Sequence, residues 1–202
     1  MQLLWFILFF IAAFWLGACP FAVWIGRYRL HKDIREYGDS NPGAANVFKA
    51  GSIKWGFLAV LVEILKGMPF VFLAIYLGLP LPQVYFIGLC AILGHAFSPF
   101  LGFKGGKATA VTFGVLIAIP PKEIVVVFFI LMLAGFFFLA GDGWRMVLSI
   151  AGCLLYATLT DMDFWTLLFL IGVLIIVAVK NAEALRSMPR AKEKIYIGFG
   201  RK

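Results

Sequence analysis

The chain has 202 residues, 63% of them hydrophobic and only 14% charged, with a formal net charge of +8. A mean hydropathy of +0.98 excludes an ordinary soluble domain. The positive balance is no nucleic-acid signal, because the basic residues are confined to stretches between apolar runs and to the tail, as membrane topology requires. The lipid bilayer is the expected partner.

Seven apolar segments follow one another, over residues 2–26, 53–79, 83–101, 108–119, 124–140, 146–159 and 164–179. Runs of about 20 residues are long enough to cross a bilayer as helices. The pattern predicts an all-α, polytopic membrane protein with about seven transmembrane helices. A single domain covers residues 1–202, with a short basic tail over 180–202. No Lys or Arg precedes the first run, so it reads as a retained span, although Leu16-Gly17-Ala18-Cys19 looks like a lipoprotein cleavage box. The fourth run is short and is stopped by Pro120-Pro121. It reads as tilted or partly re-entrant, and non-helical backbone at membrane depth is tolerated only inside protein or beside a wet cavity.

Positive charge sets the orientation. If all seven segments cross, the loop 27–52, the turns 102–107 and 141–145 and the tail share one side and nearly all of the Lys and Arg. Lys122 stays alone on the other side, and Lys66 lies within a span. The N-terminus is then predicted outside and the C-terminus cytoplasmic. Cys19, Cys90 and Cys153 each sit inside an apolar run and read as buried structural thiols.

Three polar patches stand out. The first runs from Asp33 to Lys49 and is dense in small residues, with Ser40, Asn41, Pro42, Gly43 and Asn46. It predicts a tight loop with a helix capped at Asn41 and starting at Pro42; a solvated connecting loop is the bland alternative. The second patch holds His95 and the turn Lys104-Gly105-Gly106-Lys107. Adjacent glycines lack a Cβ that would block an anion, and flanking lysines supply charge. It is not a P-loop, since Leu101 and Ala108 replace the required first Gly and final hydroxyl. The third patch is Glu63 and Lys66, three residues apart on one helix face, read as a structural ion pair or as substrate-orienting groups.

The absences narrow the chemistry. The chain has no Gly-x-Ser-x-Gly elbow, no workable Ser/His/Asp set and no His/Cys/carboxylate cluster, so neither metal nor cofactor is expected. The His-x-x-x-x-Asp pair of many thioester-using acyltransferases fails too, because Phe100 follows His95 and Glu36 follows His31 at that spacing. A reaction here needs no protein nucleophile.

The chain resembles the bacterial membrane acyltransferases that use acyl phosphate to acylate glycerol 3-phosphate. The similarity rests on Leu16-Gly17-Ala18-Cys19-Pro20-Phe21-Ala22, Gly26-Arg27, Asp33-Ile34-Arg35, Asn41-Pro42-Gly43-Ala44 with Asn46-Val47, and Glu63 with Lys66-Gly67. Its most specific block is Gly94-His95 with Phe97, then Phe100-Leu101 and Phe103-Lys104-Gly105-Gly106-Lys107. The resemblance implies acyl transfer from acyl phosphate to glycerol 3-phosphate without a covalent enzyme intermediate, in the plasma membrane, with the active site facing the cytoplasm. It places phosphate binding on Asn41, Gly43, Lys104, Gly105, Gly106 and Lys107, and catalytic organisation on His95, Asn46 and Lys49. Ser40, Lys180 and Glu183 are secondary candidates.

Several positions depart from the family's pattern. Asp39 stands where a serine is expected, with Ser40 displaced by one, and Lys49 replaces an arginine. In the last motif Lys180 takes a histidine's place and Glu183 an asparagine's, while Arg186 matches. Two alternatives therefore stay open. One is a divergent member using another phosphorylated acceptor or donor, and the other is a noncatalytic membrane transporter or partner.

Overall fold

Helix follows helix from Gln2 to Leu185 in the computed structural model, which describes residues 1–191. Part of the predicted basic tail, residues 192–202, lies outside the described residues. The first apolar segment is broken rather than continuous. Helix α1 (Gln2–Ala18) stops before Pro20, which has no N–H and disfavours helical geometry at Cys19. A short α2 (Phe21–Ile25) then runs into a π-helical turn over Gly26–Leu30.

The loop beyond is ordered by its own carboxylates. Asp33 accepts the Arg35 N–H at 3.1 Å and pairs with its guanidinium at 2.6 Å, fixing the turn Ile34–Glu36. The Arg35 hydrogen bond holds the Asp33 carboxyl well below the usual carboxylate range. The helix expected to be capped at Asn41 begins later: α3 spans Ala44–Lys49, with Gly43 before it in extended conformation. Asp39 Oδ1 accepts the Asn41 N–H at 3.3 Å, a local turn that keeps Asn41 out of helical geometry.

Helix α4 (Ile53–Leu65) is capped by Ser52, whose hydroxyl oxygen accepts the Trp55 N–H at 3.3 Å. The second apolar segment also breaks, at Lys66, and resumes as α5 (Pro69–Tyr76) with Pro69 at a first-turn position that needs no N–H. The remaining helices are α6 (Leu81–Ala96), α7 (Thr109–Ala118), α8 (Glu123–Phe138), α9 (Asp142–Leu159), α10 (Phe164–Lys180) and α11 (Ala182–Leu185). Ten residues of α7 span roughly 15 Å, half a hydrocarbon core. Most of that helix is buried within the bundle, and the non-helical stretch 104–108 feeds into it through Ala108 in left-handed conformation. One feature is not helical: Leu139 and Ala140 pair antiparallel with Ala191 and Arg190, folding the start of the tail onto the turn between α8 and α9.

α6 is the central post, packing on α1, α5, α7 and α10. It meets α1 at backbone contact. A Cβ at Gly17 would strike the Ala91 carbonyl, and one at Gly94 would strike the Phe14 carbonyl. Small residues permit this approach, which drives helix association where lipid offers no hydrophobic gain. The exterior is apolar, with Leu4, Ile11, Phe57, Phe129, Phe137 and Ile175 exposed. Three helical stretches, Gln2–Leu30, Ile53–Tyr76 and Leu81–Leu101, are long and apolar enough to cross a membrane, and Thr109–Ala118, Glu123–Phe138 and Phe164–Lys180 are shorter apolar helices. This is a multi-pass membrane protein. At one end of the bundle, Tyr85 Oη donates to Pro120 O at 3.0 Å and lies 2.6 Å from Thr166 Oγ1, tying three turns together.

The α1–α6 contact has a measurable consequence. Gly94→Ala is expected to destabilise the bundle by about 1–3 kcal/mol through overpacking against backbone, read as unfolding in a detergent series. Gly172→Ala, whose Cβ would meet only the Leu89 side chain at 3.1 Å, is expected to change little.

Candidate active site

The two helix breaks lie side by side and satisfy one another. Ending α1 at Pro20 frees the carbonyls of Ala18 and Cys19 and the N–H at the start of α2. Ser98 Oγ donates to Ala18 O at 2.6 Å, and Lys66 Nζ donates to Cys19 O at 2.9 Å. Glu63 Oε1 accepts the Ala22 N–H at 3.2 Å. The other Glu63 oxygen lies 2.6 Å from Lys66 Nζ and 3.1 Å from His95 Nδ1. All of these side chains are buried. The Glu63–Lys66 pair expected from the spacing therefore exists, and it also anchors His95. With Nδ1 facing a carboxylate, Nε2 is the free edge of the ring.

That edge faces the glycine–lysine turn. A Cβ on Gly106 would collide with His95 Nε2, and one on Gly105 with the His95 carbonyl. The Gly106 N–H donates to His95 O at 3.1 Å. So the glycines are required for close packing on His95, and the Gly106 N–H is committed to backbone rather than open to an anion.

Next to His95 is a cavity of about 430 Å³. Its lining includes the polar or small residues Asn41, Gly43, Glu63, His95, Lys107, Thr109 and Asp142 and the apolar residues Val60, Ile64, Phe113, Phe128, Phe129 and Met132. His95 lies fourteen residues along α6 from Leu81, roughly 21 Å, which puts the cavity at the C-terminal end of that helix. The structure thus brings together four sequence candidates: Asn41, Gly43, His95 and Lys107. Asn46 stands behind them, fully buried. Its amide donates to Asn41 O at 2.9 Å and to Asp39 Oδ1 at 3.1 Å.

Lys107 Nζ donates to Asp39 Oδ2 at 2.6 Å, joining loops 68 residues apart. Partial burial pushes the Asp39 carboxyl up, but the hydrogen bond and charge of Lys107 outweigh it and hold the group below its ordinary range. Other candidates sit outside the cavity wall. Lys104, Ser40 and Glu183 are exposed, and Lys49 is exposed with its Nζ lying across Gly38. Lys180 is half-buried over the Phe97 ring, 5.2 Å from its centroid. Among the described residues no cluster of three or more His, Cys, Asp or Glu is placed to hold a metal. Sequence reasoning missed Asp142 and Thr109, which no local pattern marks. It also missed Phe113, Phe128, Phe129 and Met132, which look like any lipid-facing residues.

These observations define a polytopic helical membrane protein with a cavity bordered by Lys107, Asn41 and His95 and by the aromatic rings of Phe113, Phe128 and Phe129. The family model described as glycerol-3-phosphate acyltransferase matches residues 7–188, and the chain belongs to that family. It is 40% identical to the glycerol-3-phosphate acyltransferase of Streptococcus mutans over 119 residues, which cover 59% of this chain and 56% of that relative. It is 32% identical to the Streptococcus pyogenes serotype M5 glycerol-3-phosphate acyltransferase over 158 residues, covering 78% of this chain and 74% of that one. The crystal structure of PlsY (YgiH), an integral membrane glycerol 3-phosphate acyltransferase, in its glycerol 3-phosphate form matches with a TM-score of 0.82 and 26% identity. That match covers 90% of each chain. The lysophosphatidic acid form of the same protein matches with a TM-score of 0.79.

Two predictions belong to this site. Glu63→Ala strips a buried network of its only shared acceptor and is expected to destabilise the fold by about 3–5 kcal/mol, measured by chemical denaturation in detergent. The second concerns pH. Because the Asp39 pKa is depressed, its ion pair contributes stability that is present above 3.8 and is lost as pH falls through the lower folded-state value. The difference in melting temperature between wild type and Asp39→Asn is expected to stay flat from about pH 8 to about pH 5 and to shrink below 3.8.

Proposed function

We propose that this protein transfers an acyl group from acyl phosphate to glycerol 3-phosphate, giving 1-acylglycerol 3-phosphate (lysophosphatidate) and phosphate for phospholipid synthesis. The observation that carries this reading is the mixed lining of the cavity. Lys107, Asn41 and His95 border it together with Ile64, Phe113, Phe128, Phe129 and Met132. A phosphate-bearing head and a fatty chain need both kinds of surface at once.

The chemistry asks little covalent work of the protein. Acyl phosphate is a mixed anhydride, so the acceptor hydroxyl oxygen bonds to the acyl carbon while the acyl–phosphate C–O bond breaks. Phosphate departs with the hydroxyl proton, and no enzyme-bound acyl group forms. What the site supplies is alignment and charge stabilisation. Lys107 neutralises phosphate, and Asn41, positioned by Asn46, donates an amide hydrogen. His95, held at Nδ1 by Glu63, turns Nε2 to the reactants. Gly43 admits the head group, while Gly105 and Gly106 let the turn close on His95. Lys104 and Lys49 add rim charge, with Ser40, Lys180 and Glu183 in outer positions.

The same reading puts seven crossings in a bacterial plasma membrane, with the N-terminus outside and the cavity open to the cytoplasm. Two facts support it. Asn41 and Lys107, from two connecting segments, and Asp142, the first residue of α9, share one cavity. The same end of the chain's helices carries Arg27, Arg29, Lys32, Lys104 and Arg145, against Lys122 alone between α7 and α8. A second reading, an acceptor other than glycerol 3-phosphate, is favoured by one observation, the Asp39 carboxylate on Lys107.

The test is formation of radiolabelled lysophosphatidate from acyl phosphate and glycerol 3-phosphate by the purified protein in micelles. Lys107→Ala is expected to raise KM for glycerol 3-phosphate at least tenfold, as loss of a charge-assisted phosphate contact of about 1.5–3 kcal/mol implies, with membrane insertion unchanged. Undiminished turnover in that variant removes Lys107 from the site. Cysteine introduced at Phe103 is expected to react with impermeant reagent only in inverted vesicles, and labelling of intact cells overturns the orientation.

A further inference from the structure

One carboxylate holds together the groups assigned above to phosphate. Asp39 Oδ2 lies 2.6 Å from Lys107 Nζ, and both side chains are partly open, at 36% and 27% exposure. Asp39 Oδ1 accepts from the Asn41 N–H and from the Asn46 amide. Asp39 does not line the cavity itself, but it holds against Lys107 and Asn41, which do, an anionic oxygen with the partners that a phosphate oxygen would take. Lys49 Nζ stands nearby: a Cβ on Gly38, the residue before Asp39, would lie 2.6 Å from it.

We propose that Asp39 is a specificity-determining residue, an internal competitor that an incoming phosphoryl group must displace from Lys107. This rests on the reading of Lys107 as a phosphate-binding residue. Exchange is feasible because a partly exposed ion pair is weak and easily opened. It is also selective. Swapping the Asp39 carboxylate for another monoanion gains nothing in Coulomb terms, whereas a phosphate monoester carries about −1.5 to −2 charge at neutral pH and gains from the swap. The pair thus filters for dianionic heads and against carboxylates of the same size.

Asp39→Asn is the informative substitution, because it removes the charge while keeping an oxygen for Asn41 and Asn46. Glycerol 3-phosphate binding to purified protein by calorimetry is measured beside acylation kinetics, with glycerate as a monoanionic competitor of similar size. Asp39→Asn is expected to lower both Kd and KM for glycerol 3-phosphate roughly two- to fivefold, in keeping with loss of one exposed-pair competitor, and to make glycerate an inhibitor. Asp39→Ser, checked for monodisperse elution, is expected to move both constants the same way. Active wild type with Kd unchanged or raised in both variants overturns the competitor role and leaves the acyltransferase reading standing. Wild type that neither binds nor acylates glycerol 3-phosphate overturns both.

Discussion

The structure depends on how a membrane-embedded chain break is satisfied. Pro20 interrupts the first span, and in lipid the freed backbone groups have no water to turn to. Glu63, Lys66 and Ser98 take them up, and they come from two other helical stretches. The buried charges of Glu63 and Lys66 are tolerable because each meets the other and a backbone group, and Glu63 faces His95 as well. From this one knot α1, α4 and α6 are fixed in register, and His95 receives its orientation.

The cavity end inherits that rigidity. His95 docks Gly106 through both ring and carbonyl, so the glycine–lysine turn is laid against a buried, hydrogen-bonded post. The turn continues as a non-helical stretch that feeds the short α7. That stretch reaches the cavity through Lys107 and Ala108, and backbone without helical bonds is tolerated in a membrane protein where it lines a cavity.

The first loop behaves differently. Its contacts with the turn run through Asp39 and Lys107, both partly exposed, whereas the core knot is buried. Contacts of this kind open readily, and binding surfaces are drawn from the less stable parts of a fold. A rigid post facing an exchangeable loop suits a site that must admit and release charged molecules while its lipid-facing wall stays fixed.

Much of this was legible in the chain. Each of the seven apolar segments corresponds to one helix or to a broken pair, because sustained hydropathy directly reflects transfer from water to lipid. The i, i+3 spacing of Glu63 and Lys66 gave their pair, and the block from His95 to Lys107 marked one wall of the cavity. Pairing between distant loops was not legible. Asp39 on Lys107, Glu63 on His95 and the aromatic wall of α7 and α8 join residues that no local period relates. Composition and spacing determined the membrane-embedded helices and the charged turn, since those follow from solvent preference along the chain. Which carboxylate meets which cation, and which phenylalanines border the cavity, was decided only by tertiary packing, because that depends on how the helices cross.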